Sequence, residues 1–148
     1  MDNTALFIGH SRLNNYEQLI PLVDQSIQEL FQKGYTAFLC GGYGTFDLLC
    51  AERLFLFKRQ HPQLESILVH PYPKPHLHDT AMGLFDRTLY PGLEDCPPRF
   101  AIPLRNRWMV KQSQAALCYV THDWGGAAQT LDYALRTNLL VINLAISK

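Results

Sequence analysis

Short apolar stretches alternate with longer amphipathic stretches along this chain. Five mainly apolar runs stand out, at ALFIG (5–9), TAFLC (36–40), SILVH (66–70), AALCYV (115–120) and LLVINLA (139–145). Apolar runs of this length, without strict polar alternation, predict strands that are buried on both faces, which is typical of a parallel sheet. We therefore expect a sheet built from these runs.

Helical periodicity fills the spaces between the apolar runs. Apolar residues recur at three- and four-residue spacing over 16–31, 46–57 and 127–135. Gly34 follows the first of these segments, at the position where a glycine often ends a helix. Strands that alternate with helices indicate right-handed βαβ crossovers. The pattern predicts a Rossmann-like three-layer α/β/α sandwich with a mostly parallel sheet, formed by residues 1–148 as a single domain.

The segment 70–103 is less regular and holds seven of the nine prolines. We expect loops there, with a short helix near 80–85 and a weak strand near 88–90. In an open parallel sheet, a ligand lies beyond the carboxyl ends of the strands, near the point where the strand order reverses. The residues that follow each predicted strand are therefore the candidates for a binding site.

The composition is that of an ordinary globular protein. The chain is 47% hydrophobic and 18% charged, and its 13 basic and 13 acidic residues give a formal net charge of zero. A general nucleic-acid binder usually carries a basic surplus, so the charge counts against that class. The four cysteines form no C-x-x-C pair, which predicts reduced thiols and a cytoplasmic protein. No run approaches the ~18 apolar residues of a membrane span, and we expect neither a membrane partner nor a signal peptide.

Two glycine-rich loops follow predicted strands and lead into predicted helices. The first, LCGGYGTFDLLC, has Asp47 where the dinucleotide fingerprint has its third glycine, and it has no P-loop lysine. Glycines let a backbone approach a ligand closely, and the free N–H groups at a helix start favour an anion. Thr45 would add a hydroxyl donor or cap the helix, and Asp47 would complement the helix dipole or accept from ribose hydroxyls. Glycines that serve packing alone are the competing interpretation, but two such loops on one edge favour an anion site.

The segment 103–115, PLRNRWMVKQSQA, is the basic candidate. Arg105 and Arg107 point in different directions on a regular helix, so both would face one phosphate only if the segment starts irregularly, as Pro103 allows. Guanidinium groups suit bidentate phosphate contact. We expect at least one of the two arginines at the rim of the site, with a solvated amphipathic helix as the alternative.

Histidines are a further kind of candidate. His10 ends the first strand and is the best placed for function, although a capping or core-polar role is equally compatible with its position. A second group comprises His70, His76, His78 and Asp79. These residues have zinc-ligand chemistry, but their spacing matches no familiar scaffold, so we predict no metal and interpret them as exposed or lid residues. Cys40 has no base placed beside it by the sequence, which favours a small buried side chain over a nucleophile.

Three segments occur in a set order: FIGHSR after the first strand, CGGYGTFDLLCAERL after the second, and RNRWMVKQSQAALCYVTHDWGGAAQTLDYALRTNLLVINL at the end. Together they resemble the SLOG superfamily of Rossmann-like domains, and most of all its YpsA-like branch. The resemblance spans essentially the whole chain. Members are thought to bind nucleotide-derived ligands, and the superfamily includes the Lonely Guy phosphoribohydrolases and the DNA-processing protein DprA.

The resemblance implies a pocket made by the turn after the first strand and by both glycine loops. We predict the ligand-binding residues from their places after the strands and from the resemblance to the superfamily. They are Gly9, His10, Arg12, Gly41, Gly42, Gly44, Thr45, Asp47, Arg105, Asn106, Arg107, Gly125, Gly126 and Thr130.

The related hydrolases carry a catalytic Glu three residues after the threonine of a Gly-Gly-x-Gly-Thr-x-x-Glu loop. In this chain that place falls on Leu48 in the first loop and on Tyr133 in the second. Asp47 and Asp132 stand one residue short of it. Because neither loop keeps the Glu, the resemblance does not by itself imply the hydrolase activity.

Three functions follow from these observations. The leading hypothesis is a domain that binds or senses a nucleoside phosphate, NAD or ADP-ribose type of ligand. The alternative is N-glycosidic hydrolysis of nucleoside monophosphates, with Asp132 or Asp47 replacing the missing Glu. The third is a DNA-processing accessory role that resembles DprA. A homo-oligomer is compatible with the sequence, which has no heptad or aromatic stripe to argue for one.

Overall fold

The computed structural model of the chain describes residues 1–74 and 79–145. Its strands are β1 (Thr4–Gly9), β2 (Ala37–Cys40), β3 (Glu65–Val69), β4 (Arg87–Leu89), β5 (Ala115–Tyr119) and β6 (Leu140–Asn143). Its helices are α1 (Tyr16–Gln32), α2 (Thr45–Lys58), α3 (Asp79–Met82), α4 (Ala101–Gln112) and α5 (Gly126–Arg136). A turn of 3₁₀ helix at Pro98–Phe100 leads into α4.

The six strands form one sheet in the order β4-β3-β2-β1-β5-β6, and every neighbouring pair is parallel. From β1 the chain adds β2, β3 and β4 on one side, and it then crosses over to add β5 and β6 on the other. The strand order therefore reverses between β1 and β5. This architecture confirms the predicted Rossmann-like α/β fold with a parallel sheet.

Both faces of the sheet are buried by helices, which explains why the strands are continuously apolar. Successive residues of a strand point to opposite faces. In β1, Ala5 and Phe7 belong to the core that contains α1 and α2. Leu6 and Ile8 belong to the core that contains α4 and α5. The two cores give the three layers that the alternation of strands and helices predicts.

The predicted elements agree with the structure except in the irregular region. All five apolar runs form strands, the weak strand is β4, and the short predicted helix is reduced to α3. The start of α4 differs from the prediction, because the helix is regular from Ala101 onwards and Pro103 lies in its first turn. A proline is tolerated there, since the first N–H groups of a helix have no partner within it. Arg105 and Arg107 consequently leave α4 in different directions.

The cysteines behave as the sequence predicts. Cys40, Cys50 and Cys118 are buried, Cys96 is half-buried, and all four are free thiols. Burial raises the pKa of the Cys40 thiol well above its usual value, which opposes a nucleophilic role. Within residues 1–74 and 79–145, no helix is both long and apolar enough to cross a membrane.

Candidate functional site

A cleft of about 850 Å³ opens beyond the carboxyl ends of β1, β2 and β5. Its walls are the loop after β1, the β2–α2 turn, the β5–α5 loop and one side of α4. The cleft lies where the strand order reverses, between β1 and β5. This is the place at which open parallel sheets bind their ligands, as the sequence predicted.

Most of the predicted ligand-binding residues line this cleft. Those that do are Gly9, His10, Arg12, Gly44, Asp47, Arg105, Asn106, Gly125, Gly126 and Thr130. The structure thus brings together residues from four separate parts of the chain. Four predicted residues do not line it, namely Gly41, Gly42, Thr45 and Arg107.

The glycines of the first loop have structural reasons of their own. A Cβ on Gly41 would lie 3.1 Å from the guanidinium carbon of Arg105, and one on Gly44 would lie 3.2 Å from the Cα of Ser11. Gly42 has a φ of 83°, in the region that favours glycine. Close packing and a tight turn therefore account for this loop, and only Gly44 also faces the cleft.

Thr45 connects the β2–α2 turn to the loop after β1, and it does not line the cleft. Both its backbone N–H and its hydroxyl donate to the carbonyl of Ser11, at 3.0 and 2.8 Å. The hydroxyl that the sequence predicts as a ligand donor is used in this contact between the two segments. The residue fixes the β2–α2 turn against the loop after β1.

Arg105 lies at the floor of the cleft, and only 4% of it is exposed. Its Nη1 donates to the carbonyls of Val69 (2.6 Å) and Gly41 (3.1 Å), and its Nε donates to Oδ1 of Asn106 (2.9 Å). Burial lowers the pKa of the guanidinium, and the nearby Asp47 opposes that effect. Arg105 therefore holds β2, β3 and α4 together while placing a positive charge beneath the cleft.

Asp47 is the carboxyl group of the cleft. Burial raises its pKa from 3.8 to about 7, although the charge of Arg105 and the backbone amide of Gly42 both favour the ionised form. A carboxyl group that titrates near neutral pH, and lines a cleft, has the properties of a general acid or base.

His10 bridges the loops after β1 and β5. Its Nε2 accepts from the backbone N–H of Thr121 at 2.9 Å, so a neutral ring carries its proton on Nδ1. Burial and the adjacent His122 both lower the pKa of His10. The imidazole rings of His10 and His122 stack with their centroids 4.1 Å apart. His10 is thus held as a neutral part of the cleft wall.

The second glycine loop differs from the first, because its glycines face open space. Added Cβ atoms on Gly125 or Gly126 would meet nothing within 4 Å. Gly125 has a φ of 91° and directly precedes α5, so the amide groups at the start of α5 open onto the cleft. The hydroxyl of Thr130 donates back to the carbonyl of Gly126 at 2.8 Å and supports this turn.

Two predicted residues on α4 and α5 lie away from the cleft. The guanidinium of Arg107 lies over the ring of Tyr133, 5.0 Å from its centroid, and Arg107 does not line the cleft. Asp132 pairs with Arg136 on the exposed side of α5, and 57% of its side chain is accessible. Of the two carboxylates predicted as replacements for the missing Glu, only Asp47 lines the cleft.

The histidine group after β3 is only partly described. His70 is buried, its Nδ1 contacts the carbonyl of Tyr72, and its ring stacks on Tyr90. His76, His78 and the side chain of Asp79 lie outside the described residues. Among the residues that are described, no group of three or more His, Cys, Asp or Glu has an arrangement for holding a metal ion.

Sequence reasoning missed several polar and aromatic residues of the cleft. Asn14 and Tyr43 line it, and the side chain of Asn15 donates to the hydroxyl of Tyr119 at 3.1 Å. The sequence predicts a helix start near Asn15. It does not indicate the pairing of β1 with β5 that brings Tyr119 to the same place. Trp124 also lines the cleft. Its position directly before the second glycine pair is a sequence signal by which it could be identified.

Comparisons with known proteins address the fold. TM1055, a structural genomics target, aligns with a TM-score of 0.62 at 13% identity, over 93% of this chain and 71% of that one. DprA from Streptococcus pneumoniae aligns with a TM-score of 0.68 at 16% identity, over 93% of this chain and 48% of that one.

A second DprA structure agrees with the first. It concerns single-stranded DNA binding by DprA from Helicobacter pylori, and it aligns with a TM-score of 0.66 at 16% identity over 98% of this chain and 67% of that one. No family model matches the chain, and no curated protein matches it in sequence. The chain spans about half the length of the streptococcal DprA. These structures show the same kind of Rossmann-like α/β fold as this chain.

Proposed function

We propose that the cleft binds a nucleotide-derived ligand, of the nucleoside phosphate, NAD or ADP-ribose type, and that the chain acts as a binding or sensing domain. The observation that carries this proposal is the second glycine loop, where Gly125 and Gly126 leave the first turn of α5 open to the cleft. Unpaired N–H groups and the helix dipole favour an anion such as a phosphate at that position.

The size and charge of the cleft support the same ligand class. Its volume of about 850 Å³ falls in the range of small-molecule and cofactor sites. Arg12 and Arg105 bring positive charge to it, whereas Asp47 is the acidic residue that lines it. The pKa of Asp47, about 7, leaves that carboxyl partly neutral near physiological pH, so it opposes an anion only weakly there.

Thermal unfolding with a panel of nucleotides tests this function. A ligand present at about 100 times its Kd stabilises the folded state by ~2.7 kcal/mol, which raises Tm by about 5–10 °C for a chain of this size. We expect at least one of AMP, GMP, CMP, UMP, NAD and ADP-ribose to produce such a rise at millimolar concentration. No rise with any of them would contradict the proposal.

A glycine variant connects the expected rise to the second loop. In Gly126→Val the new Cβ meets nothing within 4 Å and the side chain enters the cleft, so we expect the variant to fold and to lose the nucleotide-induced rise in Tm. Gln129→Ala, on the same helix but outside this cleft, is the matched control and should keep the rise.

A second candidate function, N-glycosidic hydrolysis of a nucleoside monophosphate, is favoured by Asp47. A carboxyl with a pKa of about 7 is protonated often enough near neutral pH to donate to a departing base as a general acid. As the N-glycosidic bond breaks, the base leaves with the proton and the sugar carries positive charge. Water then forms a bond to the anomeric carbon and gives its proton to the Asp47 carboxylate, which restores the acid.

Release of free base from AMP tests this second function. Asp47→Asn should abolish release, and activity of the native protein should fall as the pH rises through about 7, because the acid form of Asp47 is then lost. Asp132→Asn is the control, since that residue lies outside the cleft. Release that survives Asp47→Asn would exclude Asp47 from the chemistry.

We also propose, from the sequence, a single domain over 1–148, a cytoplasmic location and membership of the YpsA-like branch. A homo-oligomer is compatible with the sequence, which has no heptad or aromatic stripe to argue for one. A role in DNA processing has one supporting comparison, the DprA fold, but the zero net charge of the chain counts against it. Salt-dependent binding of single-stranded DNA would favour that role over the small-molecule site.

A further inference from the structure

Three aromatic rings form a continuous stack along one wall of the cleft. The rings of His10 and His122 lie 4.1 Å apart at an interplanar angle of 18°, and those of His122 and Trp124 lie 3.9 Å apart at 13°. All three residues line the cleft. The stack begins at the end of β1 and ends at Trp124, directly before the second glycine pair.

The stack is fixed by hydrogen bonds at both of its histidines. Nε2 of His10 accepts from the backbone N–H of Thr121, and Nδ1 of His122 donates to the carbonyl of Trp124 at 2.9 Å. His10 also meets the edge of the Tyr119 ring at a centroid distance of 6.1 Å. The indole therefore packs on a histidine ring that is itself held by a hydrogen bond, and this support lowers the entropy lost when a second ring packs on the indole.

Trp124 is exposed although it is held in place. Its relative exposure is 68%, the largest among the exposed large hydrophobic residues within 1–74 and 79–145. Among the described residues, its one stacked partner is His122, which covers a single face of the indole. The 68% exposure of Trp124 and its place in the cleft lining make the indole accessible to a planar group in the cleft.

We propose that the outer face of Trp124 stacks on the base of the bound nucleotide and is the base-recognition subsite of the cleft. This inference rests on the proposed function and specifies which end of the ligand lies where. Every base has a π face that stacks on an aromatic side chain. A cationic ring would be repelled by Arg12 and Arg105 of the same cleft, so the charge also favours a neutral base.

The position of Trp124 suits a ligand that has its phosphate at α5. Trp124 lies two residues before Gly126, so their Cα atoms are at most about 7 Å apart. The indole and the first turn of α5 therefore belong to the same short segment of the cleft lining. We expect one nucleotide to contact both of them.

Fluorescence titration tests the subsite directly. Trp108 and Trp124 are the two tryptophans of the chain, so Trp108→Phe leaves Trp124 as the reporter. We expect a nucleoside monophosphate from the set AMP, GMP, CMP and UMP to quench it, and ribose 5-phosphate, which has no base, to bind without quenching. Trp124→Ala should weaken nucleotide binding about 5- to 150-fold and leave the affinity for ribose 5-phosphate unchanged. Trp124→Phe should retain most of the affinity.

The outcomes separate this inference from the proposed function. Because Trp124 is exposed, its variants should keep the native Tm. If nucleotides bind Trp124→Ala as tightly as the native protein, the stacking subsite is wrong and the nucleotide-binding function stands. If affinity for ribose 5-phosphate falls equally in Trp124→Ala, the residue acts on the phosphate end and the inference is again wrong. If neither a nucleotide nor ribose 5-phosphate binds the native protein, both proposals are contradicted.

Discussion

The carboxyl group of Asp47 makes the stability of this protein depend on pH in a direction opposite to that of most aspartates. In the folded protein its pKa rises from 3.8 to about 7, mainly because it is buried. The folded state therefore holds a proton that the unfolded chain releases. The sign follows from proton linkage: the free energy of unfolding falls as the pH rises from about 4 to about 7, and this group causes no further fall above that range.

The magnitude follows from the size of the shift. At 1.36 kcal/mol per pKa unit, the change from 3.8 to about 7 corresponds to about 4 kcal/mol. Since the side chain also meets solvent in the cleft, we expect a loss of about 2–4 kcal/mol. Asp47→Asn keeps the shape of the side chain and cannot ionise. The variant should therefore be more stable than the native protein by about 2–4 kcal/mol at pH 8 and close to it at pH 4.

Urea denaturation followed by circular dichroism at pH 4, 6 and 8 measures this difference. Asp132→Asn is the matched control, because it removes an exposed carboxylate that pairs with Arg136, and it should change the free energy of unfolding by about 0.5 kcal/mol or less. A stabilisation by Asp47→Asn that does not grow with pH would refute the burial argument. A variant that is less stable than the native protein at pH 8 would show that attraction between Asp47 and Arg105 exceeds the desolvation of the carboxylate.

Three further substitutions test the structural roles of individual residues. Gly9→Ala should destabilise the protein by about 3 kcal/mol or more, because the new Cβ would lie 2.2–2.5 Å from the buried side chain of Phe46. The control is Gly126→Ala, whose Cβ would meet nothing within 4 Å. Equal stability of the two variants in urea denaturation would contradict the packing argument. Arg105→Met should cost about 2–4 kcal/mol in the same assay, since the carbonyls of Gly41 and Val69 lose a donor, and an unchanged free energy would show that these bonds are dispensable. His10→Gln should reduce the loss of stability between pH 7 and pH 5, because the folded state lowers the pKa of His10 and so favours its neutral ring. An equal loss of stability in the variant and the native protein would exclude His10 as a contributor.

The sequence was sufficient for the fold because the fold is encoded in local patterns. Each continuous apolar run became a strand with both faces covered, as Ala5 to Ile8 of β1 illustrate. The glycine loops at the carboxyl ends of the strands also followed from the order of elements. Parallel strands bring such loops to the same edge, so the approximate position of the cleft was predictable.

Side-chain directions within the loops were not predictable in the same way. The glycines of the first loop read as ligand contacts, but Gly41 is required by its contact with Arg105, a residue 64 positions away. Which of Arg105 and Arg107 faces the cleft depends on where α4 begins, and Pro103 in the sequence is compatible with more than one starting residue. The stack that starts at His10 requires the adjacency of β1 and β5, whose contact at Thr121 spans 111 positions. Tertiary neighbours of this kind leave no periodic signal in a sequence.

The most direct test of the central claim is a crystal structure of the protein grown with a nucleoside monophosphate that raises its Tm. The account predicts density for one nucleotide in the cleft at the ends of β1 and β5, with its phosphate at the amide groups of Gly125 and Gly126 and its base against Trp124. A nucleotide bound elsewhere on the molecule, with only solvent in the cleft, would contradict the account.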